Sequence, residues 1–108
     1  MKSRSYAALA LAGFLATGAP AQAEPAPGLA LAQQQNCMSC HSVTRPFMGP
    51  ALHEVAAKYA ARADAQTYLA HKIIDGSTGV WGQVPMPANT QLTPDQAAVL
   101  ASWILTLK

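Results

Sequence analysis

Apolar positions along this chain recur at helical rather than strand spacing. Val99, Leu100, Trp103, Ile104 and Leu107 fall at i, i+1, i+4, i+5 and i+8, a stripe that predicts a last helix running to about Leu107 with that stripe as core. Its start is written in Thr93-Pro94-Asp95-Gln96: a capping threonine, a proline in the first turn, and a glutamine three residues after the cap. Leu52, Val55, Ala56 and Tyr59 predict a second amphipathic helix over residues 51–61, with Pro50 suited to its first position after the Gly49 turn. Tyr68, Leu69, Lys72 and Ile73 share a side of a third, over residues 65–75, which Gly76 should stop. Residues 29–36 are good helix formers, with Leu29 and Leu31 the expected inward residues. Between these, residues 77–91 carry Gly79, Gly82, Pro85 and Pro87 and show no strand alternation, so they predict a long loop. Trp81, Val84 and Met86 argue that this loop is ordered, and ordered loops of such length are usually functional. The expected fold is all-α, four short helices.

The N-terminus does not belong to that pattern. Lys2 and Arg4 precede an apolar run, Tyr6 to Thr17, and Ala21-Gln22-Ala23 is an A-x-A cleavage site. These are the three regions of a secretory signal peptide, giving a leader over residues 1–23 and one domain over residues 24–108. The apolar run of about 12 residues is short against the ~20 needed for a membrane anchor. Removing the leader changes the charge. The 108-residue chain has a formal net charge of +2, but Lys2 and Arg4 leave with the leader. Arg45, Lys58, Arg62, Lys72 and Lys108 then balance Glu24, Glu54, Asp64, Asp75 and Asp95. A neutral domain does not offer the basic surface of a nucleic-acid binder. No other stretch is apolar enough to span a membrane, and a monomer is expected.

Chemistry concentrates at Cys37-Met38-Ser39-Cys40-His41, a C-x-x-C-H sequence holding both cysteines of the chain. This spacing suits covalent attachment of a c-type haem. Two thiols add across the vinyl groups on one porphyrin edge, and the next residue, His41, can then ligate the iron. Other readings of the pair are a disulfide or a thioredoxin-like redox motif. Neither explains the histidine, and the second expects a βαβ setting of which there is no sign. With no second C-x-x-C-H, one haem is expected, completing the core of so small a domain. An iron-ligating histidine normally donates its other ring N–H to a carbonyl or carboxylate, and the carbonyl of Pro50 is a candidate acceptor.

The other axial position could be taken by Met38, Met48, Met86, His53, His71 or Lys72. Met38 lies inside the attachment turn, and Met48 precedes the turn that should support His41, which suggests packing. His53 and His71 sit within helices beside polar neighbours and read as surface histidines. Met86 lies between Pro85 and Pro87, 45 residues after His41, where a stiffened backbone could present a thioether at fixed distance. It is the expected ligand, against the ordinary gap-filling use of methionine. Asn89 could steady the thioether or the loop. Trp81 and Lys72 could reach haem propionates.

Taken together, Cys37 to His41, Gly49-Pro50-Ala51, Val55 to Tyr59, Asp75-Gly76-Ser77, Gly79-Val80-Trp81-Gly82, Val84-Pro85-Met86-Pro87 with Asn89, and Ala101 to Leu105 resemble the small bacterial class I cytochromes c of the c-551 (c8) type. The resemblance covers nearly all of residues 24–108. It implies the class I cytochrome c fold, with His41 and Met86 as axial ligands. It further implies that Pro50 supplies the carbonyl to His41, that Asn89 steadies Met86 and that Trp81 bonds a propionate. The glutamines at 33–35 stand where the family often has lysines, and Ala32 where it has an aromatic residue.

A haem iron closed on both faces has no open site for substrate, so the expectation is electron transfer and not an enzyme. A periplasmic one-electron carrier would shuttle between respiratory-chain donors and a terminal reductase, oxidase or peroxidase. Apolar residues around Met86 and the thioether bridges would form a weak docking patch for transient partners at the exposed haem edge. The alternatives are a haem c subunit of a periplasmic dehydrogenase complex, or a ligand-binding sensor if Met86 is labile.

Overall fold

The computed structural model describes residues 27–108, together with residue 3 and residues 10–13. The expected leader lies almost wholly outside the described residues. Four helices form among the described residues: α1 (Pro27–Gln34), α2 (Leu52–Tyr59), α3 (Ala65–Asp75) and α4 (Pro94–Leu105), with a 3-10 turn at Cys37–Ser39 between α1 and α2. Among the described residues there is no strand, only one isolated antiparallel bridge between Ser77 and Met86. No helix among them is long and apolar enough to cross a membrane.

α4 is the element the others pack on, meeting α1, α2 and α3. Its start is the capping box read from the sequence. The Gln96 N–H donates to Thr93 Oγ1 at 3.1 Å and the Thr93 N–H donates to Gln96 Oε1 at 3.0 Å. Ala97, Leu100, Ala101 and Ile104 are its buried residues. Val99, expected in the core, is 43 % exposed. The buried face is centred on the Ala97-Leu100-Ala101-Ile104 row, and Val99 falls at its edge. The helix ends at Leu105, two residues early, where the Thr106 hydroxyl donates to Trp103 O.

α1 corrects a second expectation. It begins at Pro27, and its buried residues are Gly28 and Ala32, while Leu29 and Leu31 are only half-buried. The reason is steric. A Cβ on Gly28 would overlap the Trp103 side chain, so α1 crosses α4 too closely for a leucine to face inward. Asn36, in the left-handed region at φ 61°, then turns the chain into Cys37.

In α2 the four residues of the expected face, Leu52, Val55, Ala56 and Tyr59, are the four buried ones. Pro50 is not the first helical residue, because the non-helical Ala51 stands between it and Leu52. The first amides of α2 are satisfied by chain just beyond the cysteine motif: Leu52 N–H donates to Ser42 O at 2.9 Å and His53 N–H to Val43 O at 3.0 Å. α3 has the expected bounds, buries Leu69 and Ile73, and stops at Gly76 with φ 75°.

Candidate functional site

The Cys-x-x-Cys-His segment is folded by its own backbone. Cys40 N–H and His41 N–H both donate to Cys37 O, at 3.2 and 3.1 Å, closing the turn that puts the two thiols and the imidazole on consecutive corners. Both cysteines are half-buried and unpaired, with no disulfide between them. Burial pushes the Cys37 thiol above its ordinary pKa, so it is uncharged at neutral pH.

His41 Nδ1 lies 2.8 Å from Pro50 O. A carbonyl only accepts, so Nδ1 carries the proton and the lone pair is on Nε2. Gly49 packs on the same ring: a Cβ there would come within 2.5 Å of Cε1 and 2.8 Å of Nδ1. Gly49 N–H in turn donates to Cys40 O at 2.8 Å. The imidazole is therefore fixed by a hydrogen bond at one nitrogen and by bare backbone along its edge.

Met86 reaches the same cleft from the long loop. Its N–H donates to Ser77 O at 2.8 Å and its C=O accepts from Ser77 N–H at 3.0 Å. Asn89 binds backbone: its side-chain amide donates to Ile73 O at 2.9 Å and to Pro87 O at 3.5 Å. His41, Met86, Cys40, Leu52, Leu69 and Ile73 all line the cleft, whose non-atom space is about 1060 Å³ with its open mouth included. Lys72, Tyr59, Tyr68 and Trp81 line it too. Lys72 Nζ lies 5.5 Å from the centre of the Tyr68 ring, and Lys58 Nζ lies 4.5 Å over Trp81.

The remaining candidates fall elsewhere. Met38 packs partly against the core and is not in the cleft lining. His53 is half-buried on α2. His71 is exposed on α3, at a shallow groove with Gln66, Thr67 and Pro94. Met48, expected to be packing, is 57 % exposed and lines the cleft. Gly49 is tied down to Cys40, which leaves the residue before it at the rim.

Two features escaped the sequence reading. The Tyr59 and Tyr68 rings pack tilted at 46° with centres 5.1 Å apart, joining α2 to α3. Burial, together with the neighbouring Tyr68 hydroxyl, pushes the Tyr59 phenol up. The only sequence signal was that a buried tyrosine needs a partner for its hydroxyl. Lys58 had no signal at all, because its seat on Trp81 depends on where the loop returns.

The donor set fits a porphyrin better than a bare ion. Among the described residues no three His, Cys, Asp or Glu side chains gather to form a cage. The cleft instead offers a large, mainly apolar space, the unpaired Cys40 thiol with Cys37 three residues before it, one imidazole, the thioethers of Met86 and of the rim residue Met48, and Lys72 with aromatic rings. Apolar faces, soft donors for iron, thiols for vinyl groups and cations for carboxylates are what a haem c requires.

Comparison with known proteins agrees. The cytochrome c family matches residues 25–108. The chain is 56 % identical over 78 residues to cytochrome c-552 of Nitrosomonas europaea, covering 72 % of this chain and 76 % of that one. It is 47 % identical to cytochrome c-551 of Stutzerimonas stutzeri over 108 residues, the full length of both. The crystal structure of Nitrosomonas europaea cytochrome c552 superposes with a TM-score of 0.73 at 55 % identity, covering 74 % of this chain and 99 % of that one. The chain belongs to the cytochrome c family, as a small electron-transfer protein, not an enzyme, with one iron-bearing haem c whose porphyrin is bound covalently through Cys37 and Cys40.

Proposed function

We propose that this cytochrome is a periplasmic one-electron shuttle whose iron is bound by His41 Nε2 and the Met86 thioether. When bound, the haem supplies ferric/ferrous one-electron chemistry. The chain's residues hold it in a state that does nothing else. The observation that carries the reading is that His41 and Met86 open onto one apolar cleft already held in place, the His41 ring by Pro50 O and the Met86 backbone by Ser77. Fixed ligands keep rearrangement on electron transfer small. A thioether and an apolar pocket both favour the ferrous state and raise the potential. Pro50 O holds the proton on Nδ1 and makes Nε2 a better donor. Trp81 and Lys72 serve the propionates, and Asn89 steadies the Met86 loop through the Ile73 and Pro87 carbonyls.

Phe47, Met48, Trp81 and Val84 are exposed, and Met48, Trp81 and Val84 are also in the cleft lining. This apolar rim is the contact for redox partners, which dock weakly and leave quickly. Residues 1–23 are the export signal, cleaved after Ala23, and N-terminal sequencing of protein from the periplasm should begin at Glu24. The ligand set is tested by absorption. Ferric protein should show the weak thioether-to-iron charge-transfer band at the red end of the spectrum, and ferrous protein should not take up carbon monoxide. A missing band with ready carbon monoxide binding would overturn the shuttle and favour a ligand sensor.

A further inference from the structure

Gly76 has no side chain to offer, yet it stands where α3 meets the segment that carries Met86. Its φ is 75°, in the left-handed region. A Cβ there would come within 2.5 Å of Met86 O, 2.8 Å of Ala88 N and 3.0 Å of Pro87 C. All three are backbone atoms, so none can yield by a rotamer change. The next residue, Ser77, makes both hydrogen bonds of the bridge to Met86, at 2.8 and 3.0 Å. Three residues beyond Met86, Asn89 turns back onto α3: its backbone N–H reaches Ile74 O at 3.0 Å and Ile73 O at 3.3 Å, and its side chain reaches Ile73 O at 2.9 Å. Those carbonyls are among the last four of the helix, which have no partner within it.

We infer that Gly76 is a positioning residue for Met86, and that the end of α3 and the Met86 segment form one latch that closes or opens as a unit. The helix end needs the segment for its carbonyls. The segment needs the missing Cβ at Gly76 to lie close enough for the Ser77 bridge. The inference rests on reading Met86 as an iron ligand, and it adds that the lability of that ligand is set at the C-terminus of α3.

A second glycine makes the test sharp. Gly82 also has a positive φ, 126°, but a Cβ there would meet nothing within 4 Å, and Gly82 does not line the cleft. Gly82→Ala therefore carries positive-φ strain without an overlap, whereas Gly76→Ala carries positive-φ strain plus the overlap with the Met86 segment. In haem-loaded protein, Gly82→Ala should keep the charge-transfer band of the wild type. Gly76→Ala should lose most of it and take up carbon monoxide when reduced, with helical circular dichroism retained. Equal band retention by the two variants would overturn the inference. A wild type without the band would overturn the Met86 reading instead. Should Gly76→Ala fail to fold, amide exchange on the wild-type protein decides. The Ser77, Met86 and Asn89 amides should exchange together with that of Gly76, whereas a Met86 amide exchanging at least ~10-fold faster than Gly76 would show that there is no shared latch.

Discussion

The two sides of the cleft are built differently. The His41 side is nearly continuous chain. Its turn closes on Cys37 O, Gly49 returns to Cys40 O, and the first amides of α2 rest on Ser42 and Val43. Two thioether bonds add a covalent hold. The Met86 side is a loop with exposed Val84 and half-exposed Trp81, fastened at its base by the Ser77 bridge and Asn89. One side is set by contiguous sequence and the other by return to a distant helix end. With the proposed ligand pair, disturbance should therefore free the Met86 thioether long before the His41 imidazole.

The largest effects should separate the two sides outright. His41→Ala removes the proposed iron ligand that follows Cys40. The expected result is little or no haem-bearing protein, read by haem staining on a denaturing gel. Met86→Ala should still give covalent, helical protein. Its reduction potential should fall by on the order of 0.2–0.3 V, a fraction of the ~0.8 V that axial ligands span, and carbon monoxide should bind the ferrous form. If Met86→Ala proved as damaging to haem content as His41→Ala, the distinction between the sides would be wrong.

An intermediate effect comes from Asn89→Ala, which removes the side-chain donor to Ile73 O while the backbone N–H of residue 89 stays on α3, and should cost about 1 kcal/mol, appearing first as a lower temperature for loss of the charge-transfer band. Lys58→Gln should do less. Its ammonium, 4.5 Å over the Trp81 ring, ties α2 to the far loop, and an exposed contact of this kind contributes roughly 0.5–1 kcal/mol. The check is a denaturant midpoint compared with Lys58→Arg, which should behave as wild type.

The same contrast explains what the sequence could and could not reveal. The Thr93–Gln96 capping box, the α3 bounds and the Cys37–His41 turn are local, and each is legible because its partners lie within a few residues. Pro85-Met86-Pro87 stood out because of its stiff flanks, although nothing local told that Ser77 and Gly76 hold it. The reading of α1 failed because apolar content points to Leu29 and Leu31, while close approach to Trp103 demands Gly28 and Ala32. Met48 failed in the same way: a methionine suggests packing, and only the folded loop shows that Gly49 leaves it at the rim. Lys58 reads as a solvated helix charge until the loop brings Trp81 beneath it.

The smallest expected effect lies at the joint between the two sides. The rings of Tyr59 on α2 and Tyr68 on α3 meet at a tilt with centres 5.1 Å apart, and burial holds the Tyr59 proton more tightly in the folded chain than in the unfolded one, whose phenol titrates near 10.0. As pH rises past that value the unfolded chain releases the proton first. The folded state then binds more protons than the unfolded state, and stability falls with pH. This contribution is therefore whole below the unfolded pKa and is lost as pH climbs through the folded one. Tyr59→Phe has no proton to lose. Between about pH 9 and about pH 11 its denaturant midpoint should fall less than that of the wild type, the other tyrosines and lysines titrating equally in both. Equal losses would mean that the Tyr59 hydroxyl is open to water, and that the helix behind His41 and the helix carrying the Met86 latch meet through a wet joint rather than a sealed one.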